Sequence, residues 1–418
     1  MNISFIGLGK LGLPLATNFA KNGHKVIGID LNLQLLQLLN ENISPWHEDQ
    51  LQENITKSKG YITYTNNYDE IVNTDVTIIL VNTPSNKADG SFSNLYVEQS
   101  LLEVSKRLKS ANKRNHLFIL SSTVMPTSIN NVFIPLIENC TGWQINKDFG
   151  FAYIPDFVAI GQIIKDFENP DFLLLGESSN TYGDIAKNLY FDIIKNDSKY
   201  FKMSLLEAEI AKVTLNAYIT TKISFANYLG LLCEKIDPKI NVDAITNAIG
   251  NDKRIGSKYF KAGTSYGGTC FPRDTWAFMK LSTNFGMISY QMEANEKINN
   301  LIDEELFIKI IKSGFNKIGL VGLSFKPGTA VVTEGLAIKL TRLMKNRNFD
   351  IYVYDELDAT YDNYKNESSE PFNVCPSLEE IYDTAEVIVI CNNNSNYVIN
   401  KKNTVTIDPW HLVNKTVS

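Results

Sequence analysis

Cys270 stands in the run Tyr266-Gly267-Gly268-Thr269-Cys270-Phe271-Pro272-Arg273-Asp274. Adjacent glycines let a backbone come close to a ligand, and a thiol on such a loop can be held as thiolate and attack a carbonyl. Asp274, one helical turn further on, is placed to steer the thiol or a water molecule. Spacing alone leaves a second account open, an inert buried cysteine that only fills space. Lys212 and Asn216 form a further pair. At i and i+4 of a helical stretch they project from one face, where an amine and an amide can stabilise a developing oxyanion. Taken alone, that pair is more simply a solvated lysine and an interhelical hydrogen bond.

The third constellation is Ile6-Gly7-Leu8-Gly9-Lys10-Leu11-Gly12, after a strand pattern and at the start of a helical one. Glycines at these spacings permit a tight turn, close approach to a pyrophosphate and close helix–strand packing, and the helix N-terminus offers amide donors to phosphate. Asp30 closes the next strand pattern, where a carboxylate binds ribose hydroxyls and repels a 2′-phosphate. A plain tight turn and an ordinary strand-end aspartate would also produce this pattern. The strand–turn–helix context favours dinucleotide binding, with NAD preferred to NADP.

These groups need elements to position them. The first 200 or so residues alternate strand-like segments (Ile3 to Ile6, Lys25 to Ile29, Val76 to Val81, Leu117 to Ser121, Phe151 to Ile154) with helical patterns such as Leu13 to Asn22 and Leu101 to Lys109. That alternation predicts a parallel sheet covered on both faces. Leu205 to Glu234 carries apolar residues at helical spacing and reads as a long spine between domains. Strand patterns return at Lys317 to Gly322, Ile351 to Asp355, Ala385 to Cys391 and Val405 to Asp408, with a helix expected over Glu334 to Met344. The expected fold class is α/β, two Rossmann-like doubly wound parallel-sheet domains joined by a mainly helical centre with a long helix.

Composition is consistent with this plan. The 418 residues are 44% hydrophobic and 21% charged, the balance of a globular protein with real cores. A net charge of -6 without a basic block gives no electrostatic reason to expect nucleic acid or an anionic membrane as partner. No apolar run approaches membrane-span length, and no signal peptide is expected from Met1-Asn2-Ile3-Ser4-Phe5. Five scattered cysteines make no disulfide framework and fit a reducing cytoplasm. Four histidines (His24, His47, His116, His411) lack metal-ligand spacing, so no metal is expected.

Read together, the motifs resemble the UDP-glucose/GDP-mannose dehydrogenases, nucleotide-sugar 6-dehydrogenases, from Asn2 to about Asp408 and in the same order. Val81-Asn82-Thr83-Pro84 is similar to the family's segment over the nicotinamide half of the cofactor, and Ser121-Ser122-Thr123-Val124 to its second strand-end motif. Pro155-Asp156-Phe157 resembles its Pro-Glu-Phe-Leu segment. Ala211 to Ala217 and Lys222 to Asn227 resemble the spine motif, Asp252 to Gly256 and Gly267 to Asp274 the substrate loop and nucleophile, and Gly322 to Pro327 the first strand end of the C-terminal domain.

The resemblance implies NAD as cofactor, held by Gly7, Leu8, Gly9, Lys10, Leu11, Gly12, Asp30, Thr83, Pro84, Ser122 and Thr123. It implies oxidation of a sugar C6 alcohol to the aldehyde, attack by Cys270, a second oxidation to a thioester, and release by water as the 6-carboxylate. Lys212, Asn216, Asp274, Asp156 and Thr123 would complete the catalytic set. Lys212, Asn216, Arg254, Lys261, Tyr266, Gly267, Phe325 and Lys326 would bind the nucleotide-sugar. The implied domains are 1–203 (NAD binding), 204–305 (helical dimerisation, carrying the Cys loop) and 306–418 (nucleotide-sugar binding), with a homodimer formed through the spine.

Four departures from the family stand out. Asp156 replaces a glutamate, Ile160 a second glutamate, Thr329 to Glu334 a run with two further acids and an arginine, and Asp408-Pro409-Trp410 an Asp-Gly-Arg. Drift with compensating contacts, altered sugar specificity and impaired hydrolysis each account for them. UDP-glucose is the default substrate expected, with UDP-N-acetylhexosamine or GDP-mannose as alternatives. A two-electron hydroxy-acid dehydrogenase and a silent sugar-nucleotide-binding homologue are the rival readings.

Overall fold

The computed structural model describes residues 1–86, 88–158, 161–399 and 404–412. The chain divides into two compact units, Met1–Val213 and Thr214–Ser418.

The first unit is built on eight strands: β1 (Asn2–Ile6), β2 (Lys25–Ile29), β3 (Ile62–Thr65), β4 (Val76–Ile79), β5 (His116–Leu120), β6 (Phe149–Tyr153), β7 (Phe172–Glu177) and β8 (Lys199–Ser204). They form one sheet in the order β3-β2-β1-β4-β5-β6-β7-β8. Every pairing is parallel except β6 with β7. Alternate residues of each central strand enter different cores. Ile3, Phe5, Ile78, Leu117 and Ile119 join one cluster, while Ile6, Ile79, Phe118 and Leu120 join the other. This is the two-sided burial that a parallel sheet covered by helices requires. It also explains why these strands read as nearly continuous apolar runs.

Sequence patterning missed three strands of this sheet, and for one of them the cause is exposure. β3, β7 and β8 were not among the strand expectations; β8 (Lys-Tyr-Phe-Lys-Met-Ser) lies at the sheet edge, exposes Lys199, Phe201 and Lys202, and carries little apolar signal. β4 ends at Ile79, two residues short of the expected Val81.

Helix Leu205–Ile236 begins in the first unit and continues into the second. The second unit follows with helices Val242–Gly250, Phe271–Asn284 and Tyr290–Ser313, then a five-stranded sheet. Its strands are β9 (Lys317–Val321), β10 (Asp350–Tyr354), β11 (Asn373–Val374), β12 (Val387–Ile390) and β13 (Val405–Ile407), ordered β11-β10-β9-β12-β13 and parallel throughout. The helix expected from Glu334 starts at Leu336 instead, because Glu334 takes a left-handed φ of 51°. No helix among the described residues is long and apolar enough to cross a membrane.

Candidate active site

In the first unit, the turn after β1 leaves through Gly7 at φ 94°, and a Cβ there would lie 2.4 Å from the Leu80 carbonyl oxygen. A Cβ on Gly12 would come within 2.1 Å of the Gly7 oxygen, so both positions exclude a side chain. Gly9 differs: a Cβ there would meet no atom within 4 Å. The helix that follows, Gly12–Lys21, has no side-chain cap and no acid in its first turn, which leaves its amide donors for an anion. Asp30 is half-buried and accepts from Leu8 N at 2.8 Å and Asn32 N at 2.9 Å. A clear approach at Gly9, an uncapped helix start and a strand-end carboxylate fit a dinucleotide.

The ends of β4 and β5 lie beside this turn. Ser122 Oγ accepts from Val81 N at 2.9 Å and donates to Val81 O at 2.7 Å. Thr83 Oγ1 donates to Thr123 O at 2.7 Å, with Pro84 exposed next to it. These hydroxyls therefore tie the two strand ends together, while Thr123 remains half-buried. Lys10 is exposed and Leu11 half-buried on the glycine turn.

Asp156 follows β6. Its carboxyl is buried, Oδ2 has no hydrogen-bond partner among the described residues, and burial, opposed by the Lys212 charge, pushes it up to about 7. Lys212 is also buried; its Nζ donates to the main-chain oxygen of Asp156 and sits 4.6 Å from the centre of the Phe157 ring. The solvated-lysine alternative is thus excluded. Ile160 lies outside the described residues.

Sequence reasoning missed Glu209, three residues before Lys212. This buried carboxyl accepts from Thr127 N and Ile129 N, both at 2.9 Å, and holds the segment that follows Thr123. Burial raises it to about 7 against the effect of those two amides. Its helical spacing from Lys212 was the available signal.

In the second unit, Cys270 is exposed at the start of helix Phe271–Asn284, so the inert buried alternative does not apply. Asp274, 1% exposed, receives Asn216 Nδ2 at 2.6 Å and Arg273 Nε at 3.3 Å. Asn216 and Asp274 are brought together here, with Asp274 N bonded to Cys270 O at 2.8 Å by the helix itself.

The loop before Cys270 is clamped by a polar stripe on helix Tyr290–Ser313. Asn299 accepts from Tyr266 N at 2.7 Å and donates to Tyr266 O at 3.2 Å, while Glu296 accepts from Tyr266 Oη and, at 2.8 Å, from Trp276 Nε1. A Cβ on Gly267 would lie 2.1 Å from Glu334 O, and Gly268 N donates to Thr333 O at 2.8 Å. The remaining substrate candidates are scattered. Arg254 is exposed and paired with Asp252 at 2.6 Å. Lys261 Nζ lies 5.8 Å from the Trp410 ring, and Lys326 Nζ 5.8 Å from the Phe325 ring, which itself packs on Gly268. Trp410 presses on Gly263, and the Thr333 hydroxyl donates to Glu367 at 2.6 Å. No cluster of three or more metal-ligating side chains occurs among the described residues.

Comparison with known proteins identifies the family. Residues 1–194 match the NAD binding domain of the UDP-glucose/GDP-mannose dehydrogenase family, and residues 206–301 match its central domain. A UDP-glucose 6-dehydrogenase of Rickettsia bellii is 30% identical over 407 residues, 92% of this chain and 89% of that protein. The chain belongs to the UDP-glucose/GDP-mannose dehydrogenase family. It is an NAD-dependent oxidoreductase. A GDP-mannose 6-dehydrogenase of Pseudomonas aeruginosa is 28% identical over 436 aligned positions, 100% of this chain and 94% of that one. The structure of a UDP-glucose dehydrogenase from the archaeon Pyrobaculum islandicum superposes with a TM-score of 0.90 at 26% identity, covering 98% and 94% of the two chains.

Proposed function

We propose that this enzyme performs the four-electron oxidation of a nucleotide-sugar C6 alcohol to the carboxylate, with UDP-glucose as the first substrate to test. The observation that carries the reading is the exposed Cys270 at a helix start, beside a buried Asp274 that already holds Asn216. Bound NAD supplies the hydride acceptor, used once per oxidation. Gly9, the Gly12–Lys21 helix start and Asp30 would hold its pyrophosphate and ribose. Cys270 Sγ adds to the carbonyl carbon of the C6 aldehyde, and the carbonyl oxygen takes the proton, giving a thiohemiacetal. Loss of a second hydride and a proton leaves a thioester. Water breaks the C–S bond, returning the thiol and releasing the carboxylate. Asn216 and Lys212 would stabilise the oxyanions, with Asp274 fixing the Asn216 amide. Asp156, raised to about 7, sits near the value a general base requires. Arg254, Lys261, Tyr266, Gly267, Phe325 and Lys326 remain the proposed substrate contacts, and Thr123 a catalytic-site residue.

The buried Oδ2 of Asp156, without a partner among the described residues, favours a second reading, in which thioester hydrolysis is slow. Exposed Tyr218, Phe225, Leu232 and Ile236 form a stripe at heptad-like spacing on the long helix, which supports a homodimer. The cytoplasm is the proposed compartment, since a reducing milieu keeps Cys270 a thiol. NADH release across a panel of UDP- and GDP-sugars tests the reading. Wild type should give two NADH per sugar, and Cys270→Ala should stop at the aldehyde after one. Silence with every sugar overturns the proposal.

A further inference from the structure

Lys339, on helix Leu336–Met344, is buried and belongs to no motif considered above. Its Nζ donates to Ser265 Oγ and to Tyr266 O, both at 3.1 Å, and pairs with Asp303 Oδ2 at 3.5 Å. Ser265 Oγ in turn donates to Asp303 Oδ1 at 2.5 Å. The ammonium has three N–H groups and three acceptors around it, and each Asp303 oxygen has a partner. A buried ion pair of this kind adds little stability over apolar residues of similar volume, because desolvating both charges offsets their attraction. What it does supply is direction. The Tyr266 carbonyl is fixed by Lys339 on one side and Asn299 on the other, four residues before Cys270.

The clamp joins three elements. Asp303 lies on helix Tyr290–Ser313, Lys339 on the first helix after β9, and Ser265 and Tyr266 on the loop that presents the nucleophile. The geometry points to Lys339 as a positioning residue for Cys270, setting the register of the Ser265–Gly268 backbone so that the thiol meets the aldehyde. This assignment rests on the proposed thiohemiacetal chemistry. Its consequence is selective. A misplaced loop hampers capture of the aldehyde by Cys270 more than it hampers formation of that aldehyde, which needs no thiol.

The test compares wild type with Lys339→Met and with the double variant Lys339→Met/Asp303→Asn, which strands no buried charge and still accepts from Ser265. Turnover with UDP-glucose, or with whichever sugar of the panel is oxidised, is run with hydroxylamine to trap released aldehyde as its oxime. The ratio of oxime to acid-level product, carboxylate plus the hydroxamate that hydroxylamine forms from the thioester, should rise about tenfold or more in both variants, because small misplacements of reacting groups carry large rate penalties. A purely structural defect lowers both products together and leaves the ratio unchanged; that result overturns the assignment. Wild type forming no NADH with any sugar removes the proposed function instead. Hydrogen exchange of the Ser265–Cys270 amides then decides the matter. Exchange about tenfold faster in the double variant upholds the clamp, and unchanged exchange overturns it.

Discussion

In the first sheet, Gly7 leaves β1 at φ 94° and Leu8 N donates to Asp30, just past β2, at 2.8 Å; in the second, Gly322 leaves β9 at φ 82° and Leu323 N donates to Asp355, just past β10, also at 2.8 Å. The correspondence extends further. Gly7 N bonds Ile29 O and Gly322 N bonds Tyr354 O, each at 2.9 Å, and both sheets place their first five strands in the order third, second, first, fourth, fifth. The carboxylates then diverge. Asp30 is half-buried, on a turn where Gly9 leaves open space. Asp355 is 4% exposed and accepts from Ser324 N, Leu357 N and Thr360 Oγ1 as well as Leu323 N. Asn392 adds bonds to Ser324 O and Oγ, and both Asn392 and Tyr397 crowd Gly322. One turn has open space at Gly9, whereas the other is filled by the protein's own polar groups. A Rossmann-like beginning therefore does not by itself imply a dinucleotide site; the occupancy of the strand-end carboxylate distinguishes the two.

This contrast is exposed to direct tests. Asp355→Ala should give the largest effect, a loss of about 3–5 kcal/mol in denaturant unfolding of the second unit, because four donors, three of them in buried bonds, lose their acceptor. An unfolding curve like that of wild type would show that Asp355 is as dispensable to folding as an open strand-end acid. Asp156 is the opposite kind of buried carboxyl, with one oxygen that has no partner among the described residues. Its folded value of about 7 lies above its ordinary 3.8. Folding therefore favours the neutral acid, a contribution present below about pH 4 and lost as pH rises towards 7. Asp156→Asn should accordingly stabilise the protein by about 2–3 kcal/mol more at pH 8 than at pH 5. Equal Tm gains at both values would rule out a buried, destabilised carboxylate. Asp30→Ala should barely move Tm, yet raise the Kd for NAD about tenfold to a hundredfold, with Gly9→Ala also weakening NAD binding while leaving stability nearly intact. Calorimetric titration with NAD reads both, and unchanged affinity would remove the distinction between the two turns.

Much of this was legible because it is local. The strand–Gly7-x-Gly9–helix run, the two-sided apolar strands and the Cys270 loop are set by neighbouring residues, and backbone geometry makes such spacings meaningful. Edge strand β8 escaped notice because none of its residues is fully buried, so its apolar alternation is weak. Glu209 was missed because a glutamate at helical spacing looks solvated until its acceptors' partners, Thr127 and Ile129, are brought beside it.

The amino-acid sequence by itself determined the α/β plan and pointed to NAD as cofactor, and it nominated Cys270 as the nucleophile. Tertiary structure alone decided which charged groups are buried and what they face. Lys339 meets Ser265 from 74 positions away, Glu209 meets Thr127 from 82, and Asn216 meets Asp274 from 58. Burial and hydrogen-bond direction turn an unremarkable Lys, Glu or Asp into a clamp, a cap or a candidate base, and both depend on chain segments that no local pattern links.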